Sequence, residues 1–323
     1  METEILQGNS PKALKRAVQY LKAGTPIAFA TETVYGLGAD AKNPDGIREI
    51  FRVKGRPANN PLIVHCLDQS MARSCVLGWN EKCEALASRF WPGPLTLILK
   101  RDASVPAAVA GGGETLAVRV PAHVVARALL AHYGAPIAAP SANLSTRVSP
   151  TNAEHVYTSL AGRIPLILDG GPCQVGLEST VLDMTSDQPT ILRLGDISAE
   201  QISECIGVEV KKKSFDEQTP KSPGMMKRHY APKTPIKICR NFEDLPEGQF
   251  ALICFSEEWT AQSSTNPLFV MPATPKDFGK ELYRALHWAD EQGQPQIIIQ
   301  EIPNGAEWDT VRDRLSRSVS DPT

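Results

Sequence analysis

The sequence predicts an α/β protein of two domains, the larger built on an open sheet of mixed strand direction and the smaller on a βαβ-like unit. Three observations carry this reading. Helical and strand patterns are interspersed without strict alternation. A late run of strands, PLILD (165–169), STVLDM (179–184) and TILRL (190–194), requires some antiparallel pairing. Between Lys211 and Pro235 the chain turns polar and Pro-bearing, and apolar patterns resume beyond it. The expected organisation is a domain over 1–210, a linker over 211–235 and a second domain over 236–323.

The elements follow in order. Ser10-Pro11 sets a cap residue before proline at the first helical position; Leu14, Ala17, Val18 and Leu21 form the apolar stripe, and Gly24 ends the helix. PIAFA (26–30) is a short buried strand. Asn43-Pro44 opens a second helix with Ile47, Ile50 and Phe51 on one face. PLIVHC (61–66), LTLIL (95–99), TLAVRV (115–120) and PIAAP (136–140) read as strands, and 81–90 as a helix. Pro121 is expected to open a helix reaching His132, and Asn152 to cap a further one. In the second domain PIKIC, FALICF and QIIIQE are strands, 276–292 is a helix, and 307–316 a last amphipathic helix.

Composition narrows the class. Of 323 residues 42% are apolar and 22% charged, as in globular proteins. No apolar run is long enough for a membrane span, and METEILQGNSPK has the pattern of neither a signal nor a transit peptide. The seven cysteines form no CxxC pair, so reduced thiols in a cytoplasmic protein are expected and structural zinc is not. The net charge of −2 hides an asymmetry: residues 236–323 hold 8 Lys and Arg against 14 Asp and Glu, leaving +4 on residues 1–235. That basic part is where an anionic ligand is drawn, although +4 is far from a dedicated nucleic-acid surface.

Several familiar signatures fail. GLGADA (36–41) fits a dinucleotide fingerprint, but Asn43-Pro44 interrupts the helix that the fingerprint must open. No P-loop, GxSxG or HExxH is present. GGG (111–113) reads as a flexible turn, and Trp91 as a core residue.

What remains is a set of polar loops at strand ends. TETVYGLGAD (31–40) is rich in hydroxyls and glycine. KGRPANNPLIVH (54–65) places Lys54 and Arg56 in a loop stiffened by prolines, suited to clamping phosphate oxygens or simply to solvent. Arg119 in AVRVPAH either points to solvent by alternation or faces a cleft and pairs with a carboxylate. APSANLSTRVSPT (139–151) and DGGPCQVGLESTVLDM (169–184) supply hydroxyls, amides and glycines, and Arg193 is another lone cation in an apolar strand. Such loops position anions rather than activate a nucleophile.

Taken together, TETVYGLGADA, KGRPANNPLIVH, WPGPLTLIL, AVRVPAH, APSANLS, DGG with GLESTVLD, and ILRLG resemble, in order, the YrdC-type domain of threonylcarbamoyl-AMP synthases. SPGMMKRHYAP (222–232) resembles the linker of the long form, which carries a further C-terminal Sua-type domain. The resemblance covers about residues 10–210, and the C-terminal assignment rests mainly on position. It implies a YrdC-like open twisted sheet with a concave basic cavity, plus a smaller Rossmann-like α/β domain. It also implies synthesis of threonylcarbamoyl-AMP and pyrophosphate from L-threonine, bicarbonate or CO2, and ATP with Mg2+ held mainly by its phosphates. A partner tRNA threonylcarbamoyl transferase then uses the product, and tRNA itself could touch this chain. Thr33, His65, Arg119 and Ser179 are expected round threonine. Lys54, Arg56, Asn60, Thr115, Ser141, Asn143, Ser149, Arg193 and Tyr230 are expected round ATP, with Lys54 and Arg56 also catalytic. Arg228, His229 and Tyr230 would form a lid. Ala30 stands where the family often has proline, which should loosen that turn without loss of activity.

Two other readings compete. One is an RNA-binding module without catalysis, against which the loops lack interleaved aromatics. The other is carbamoyl transfer in hydrogenase maturation, which would need zinc-finger segments that the cysteine spacing does not provide.

Overall fold

The computed structural model describes residues 1–212, 230–262 and 266–319. The chain divides into two compact units. The first takes Met1–Ser145 and Pro150–Met225, the second Thr146–Ser149 and Met226–Thr323.

The first unit runs β1 (Glu4–Gln7), α1 (Pro11–Lys22), β2 (Ile27–Phe29), β3 (Gly36–Asp40), α2 (Pro44–Lys54), β4 (Ile63–His65), α3 (Gln69–Arg73), β5 (Val76–Leu77), α4 (Glu81–Phe90) and β6 (Leu95–Arg101). It continues with β7 (Thr115–Arg119), α5 (Val124–Tyr133), β8 (Ile137–Ala138), α6 (Ala153–Leu160), β9 (Leu166–Asp169), β10 (Thr180–Asp183), β11 (Thr190–Arg193), α7 (Ala199–Ile206) and β12 (Lys211–Lys212). Among the described residues these strands form one mixed sheet ordered β1-β9-β2-β3-β8-β4-β7-β6-β10-β11-β12, with β5 on β6. β4 and β7 run parallel, β6 and β7 antiparallel, and β6 and β10 parallel.

Local rules account for the starts. Ser10 Oγ accepts from Ala13 N and Asn43 Oδ1 from Asp45 N, each before a proline at the head of its helix. Leu14, Ala17 and Leu21 are buried along α1; each leucine contributes about 1.5–3 kcal/mol on leaving water. GLGAD is itself β3, so its glycines serve a strand.

The expected helix at Pro121 is corrected. Val120 O is taken by Gly93 N at 2.9 Å, which keeps 120–122 extended. Helix α5 begins at Val124 instead, capped by His123, whose Nδ1 accepts from Val125 N. Lys211 and Lys212, the first residues of the expected linker, pair with β11 as an edge strand. GGG (111–113) is more than a loose turn. Gly111 has φ +62°, and a Cβ there would lie 2.4 Å from Asn59 O, so only glycine lets the turn close on the Asn59–Pro61 loop.

The second unit contains β13 (Ile236–Cys239), β14 (Ala251–Cys254), α8 (Glu257–Gln262), β15 (Leu268–Val270), α9 (Pro275–Glu291), β16 (Ile297–Gln300) and α10 (Asp309–Ser318). Its strands are all parallel, in the order β13-β16-β14-β15. Sequence reading missed β1, β3, α3, β5, α7, α8 and β15, all of eight residues or fewer. Among the described residues no helix is long and apolar enough to cross a membrane.

Candidate functional site

Arg119 ends β7 opposite His65, its register partner at the end of β4. It does not reach solvent: only 2% of it is exposed. Nε donates to Gly93 O at 3.1 Å and Nη1 to Thr33 Oγ1 at 3.0 Å. Nη2 lies 2.5 Å from Glu32 Oε1. Burial, the largest influence, pushes the Glu32 carboxyl up, but the Arg119 charge together with hydrogen bonds from Arg119 and from the backbone of Glu32 and Ala122 holds the group below the usual carboxylate range. Thr31 Oγ1 binds Val34 O at 2.6 Å and lies 2.9 Å from Thr33 Oγ1, which shapes the loop that presents Thr33.

His65 is buried, with its ring edge-on to Phe29 and no hydrogen-bond partner on Nδ1. Burial, then the Arg119 charge, pushes its pKa down to about 3, so the imidazole is neutral at pH 7. Below the ordinary value of 6.5 the unfolded chain gains a proton that the fold refuses. This contribution to stability is therefore whole above pH 6.5 and is lost as pH falls toward 3. His65→Asn should flatten that slope. Between pH 7.5 and 5.0, urea midpoints should show the wild type losing about 2 kcal/mol more than the variant. Equal losses would place the titration elsewhere.

Ser179 precedes β10. Its Oγ lies 2.7 Å from Thr96 Oγ1, and Thr96 is one position before Leu97, the partner of Val118 across β6 and β7. Arg193 braces this serine: Nε and Nη2 donate to Ser179 O at 3.1 and 3.0 Å, and Nη2 to Ser179 Oγ at 3.1 Å. Arg193, expected at the nucleotide, thus stands beside a residue expected at threonine.

A second cluster joins the end of α2 to the 141–145 loop. Lys54 is buried, and its Nζ donates to Ser141 O (2.6 Å), Asn143 O (2.5 Å) and Asn143 Oδ1 (3.2 Å). Three acceptors match the three donors of an ammonium. Burial, then the Arg56 charge, works the other way and pushes the Lys54 pKa well down. Lys54 thus builds the loop in this state, and contact with a phosphate calls for exchange of one acceptor. Arg56 Nη2 donates to Pro61 O at 3.0 Å and Nε to Asn60 O at 3.4 Å, which fixes the turn into β4. Thr115 begins β7, two positions before Ala117, the partner of Ile63, and so on the strand end where the chain enters β4.

A clasp holds two of the loops together. Tyr35 Oη lies 3.0 Å from Asp169 Oδ1 and 2.8 Å from Gly171 O, and accepts from Gly170 N at 3.1 Å. At Gly170 a Cβ would stand 2.4 Å from the His123 ring and 2.6 Å from Ala30 Cβ, so a side chain there has no room.

Ser149 and Tyr230 belong to the second unit. Ser149 O receives a hydrogen bond of 3.2 Å from His287 Nε2, a ring that burial keeps neutral with a pKa pushed down to about 4. Tyr230 stacks on Tyr283 with centroids 5.5 Å apart, and the Arg314 guanidinium lies 5.2 Å from its ring. Its φ of +61° is rare for a residue with a side chain. Ala231 N binds Thr146 O at 3.0 Å, tying the two segments of the unit. Arg228 and His229 lie outside the described residues, and with them most of the expected lid.

Among the described residues no three His, Cys, Asp or Glu side chains gather to hold a metal. A cleft of about 500 Å³ lined by Glu200, Ser203 and Lys211, among others, contains none of the site residues above. The residue that sequence reading passed over is Glu32. It stood in view as the one acid in TETVYG, but only the fold shows that its partner is Arg119.

Two family models cover the chain. One, described as "Telomere recombination" and grouping Sua5, YciO and YrdC, matches residues 19–195. The chain belongs to the Sua5–YciO–YrdC family. The second model, "Threonylcarbamoyl-AMP synthase, C-terminal domain", matches residues 197–320, as in the long members of the family. A threonylcarbamoyl-AMP synthase of Bacillus subtilis is 50% identical over 73% of this chain and 69% of its own length. One of Pyrococcus abyssi is 38% identical over 94% of this chain and 93% of its own. The crystal structure of Pyrococcus abyssi Sua5 complexed with L-threonine superposes with a TM-score of 0.87, at 35% identity, covering 98% of this chain and 99% of that one.

Proposed function

We propose that this protein is an L-threonylcarbamoyladenylate synthase, a nucleotidyltransferase that converts L-threonine, bicarbonate (or CO2) and MgATP into threonylcarbamoyl-AMP, pyrophosphate and water. The observation that carries the reading is the buried Arg119 with Thr33 on its guanidinium and His65 opposite, a setting suited to an amino-acid carboxylate. Family membership and the threonine complex of the Pyrococcus abyssi protein support it.

In the mechanism, threonine is carboxylated on its amine, and a carbamate oxygen attacks the α-phosphorus of ATP. The bond from that phosphorus to the bridging oxygen breaks, and pyrophosphate leaves with the electron pair. Lys54 and Arg56 offset the charge that builds on the phosphoryl oxygens. Asn60, Thr115, Ser141, Asn143 and Arg193 orient the nucleotide. Ser179 orients threonine. Mg2+, when bound with ATP, would be held mainly by the nucleotide phosphates and would help to offset their charge. Holding the reactants in line supplies much of the rate, worth about 7–11 kcal/mol at best. The adenylate then passes, in the cytoplasm, to a tRNA threonylcarbamoyl transferase that modifies the adenosine beside the anticodon.

The test is pyrophosphate release from MgATP with threonine and bicarbonate omitted in turn, and with Arg56→Ala. Release should require both co-substrates and fall at least about 100-fold in the variant. Release that ignores threonine would sink the reading.

A further inference from the structure

We infer that Glu32 is the residue that receives the ammonium group of the substrate amino acid and takes its proton when the carbamate forms. This rests on the synthase reading and assigns a residue that the reading leaves without a role. Glu32 is 5% exposed, and its Oε1 faces Arg119 Nη2 at 2.5 Å. The Arg119 guanidinium has five N–H donors. Two are spent on Gly93 O and Thr33 Oγ1, and the rest point from Nη1 and Nη2. Together the two side chains offer one buried anion and one cation with donors to spare. An α-amino acid zwitterion presents the complementary pair on adjacent atoms. Its carboxylate takes the free Nη donors and its ammonium falls to Glu32, so the site remains neutral overall and no buried charge is left alone.

The same geometry makes Glu32 a base only when it is needed. Opposed influences act at this carboxyl: burial, the largest, raises its pKa, while the Arg119 charge and hydrogen bonds from Arg119 and from the backbone of Glu32 and Ala122 lower it. The substrate carboxylate neutralises Arg119, and burial then dominates. The other titratable groups nearby oppose this little: His65 is held neutral by burial, and burial pushes His123 down and the Cys173 thiol up. With bicarbonate the step balances. The ammonium gives one proton to the Glu32 carboxylate, the amine nitrogen bonds to the bicarbonate carbon, and hydroxide leaves that carbon. The second nitrogen proton joins the hydroxide as water. Threonylcarbamate, water and neutral Glu32 result.

The experiment is calorimetric titration of the full-length protein with L-threonine and with 2,3-dihydroxybutanoate, which has a hydroxyl in place of the ammonium. Wild type should prefer threonine by about 30-fold or more, and Glu32→Gln should lose most of that preference. Pyrophosphate release by Glu32→Gln should fall at least about 100-fold at pH 7 and recover in part by pH 9, as free amine accumulates. Equal binding of the two ligands by wild type would overturn the ammonium pairing with no variant required, so a misfolded Glu32→Gln does not block the test. A Glu32→Gln enzyme with wild-type turnover would overturn the proton transfer. Neither result resembles failure of the synthase reading, in which threonine does not bind and pyrophosphate release is indifferent to it.

Discussion

Arg119→Ala should abolish threonine-dependent pyrophosphate release and lower stability by about 3–5 kcal/mol, the loss typical of breaking a buried ion pair on one side. Arg119 is almost wholly buried and ties two loops together, through Gly93 O on one and Thr33 Oγ1 and Glu32 on the other. Its removal leaves the Glu32 carboxylate in the interior with no counter-charge. The sign of the pH dependence then reverses. In the wild type the depressed Glu32 pKa gives stability that is present above the ordinary value of 4.5 and lost as pH falls below it. In the variant burial, the largest influence, is opposed only by the backbone hydrogen bonds of Glu32 and Ala122, the folded pKa lies above the unfolded one, and stability is gained as pH falls toward 5. His65 imposes a slope on both proteins, so the quantity to read is the difference between them. Urea midpoints at pH 7.5 and 5.0 should show the deficit of Arg119→Ala shrinking at the lower pH. Addition of Glu32→Gln should restore part of it at pH 7.5. A deficit that does not change with pH would mean that Glu32 is not the group left stranded.

Lys54→Met is expected to be the second most damaging change, with pyrophosphate release down at least about 100-fold. Methionine fills much of the aliphatic volume but leaves Ser141 O and Asn143 O without the ammonium that now binds them. Each unsatisfied buried acceptor costs about 1–3 kcal/mol. The 141–145 loop should loosen, which would be seen as a lower thermal midpoint and faster amide exchange there. Lys54→Arg should not rescue the enzyme. Three donors diverging from one atom match three oxygens in a way that a planar guanidinium cannot. Wild-type turnover and midpoint in Lys54→Met would refute both roles of this lysine.

Much of the site was legible because polar loops at the ends of apolar strands stand out in a single sequence. Arg119 was singled out from its strand, the resemblance assigned Thr33, His65 and Ser179 within such segments, and the structure brings Thr33 and His65 to Arg119. Arg119 shows where such reading stops. Strand alternation allowed solvent or cleft, and a carboxylate 87 positions away in sequence decides the matter. Arg193 is similar: a lone cation in an apolar strand is visible as an oddity, but its grip on Ser179 depends on the antiparallel pairing of β10 with β11. The assignment of Ser149 to the same unit as Tyr230 had no local signal at all.

The sequence by itself determined the order of the principal helices and strands, the caps at Ser10, Asn43 and Asn152, and the loops rich in hydroxyls, glycine and isolated cations. These follow from backbone geometry and hydrogen bonding over three or four residues, which any short window of sequence contains. Only the tertiary structure decided which buried charge meets which. Glu32 finds Arg119, Lys54 finds the carbonyls of Ser141 and Asn143, and Tyr35 clasps Asp169 and Gly171. Burying such groups is tolerable only with a partner present, and the partner is supplied by sheet closure across long stretches of chain.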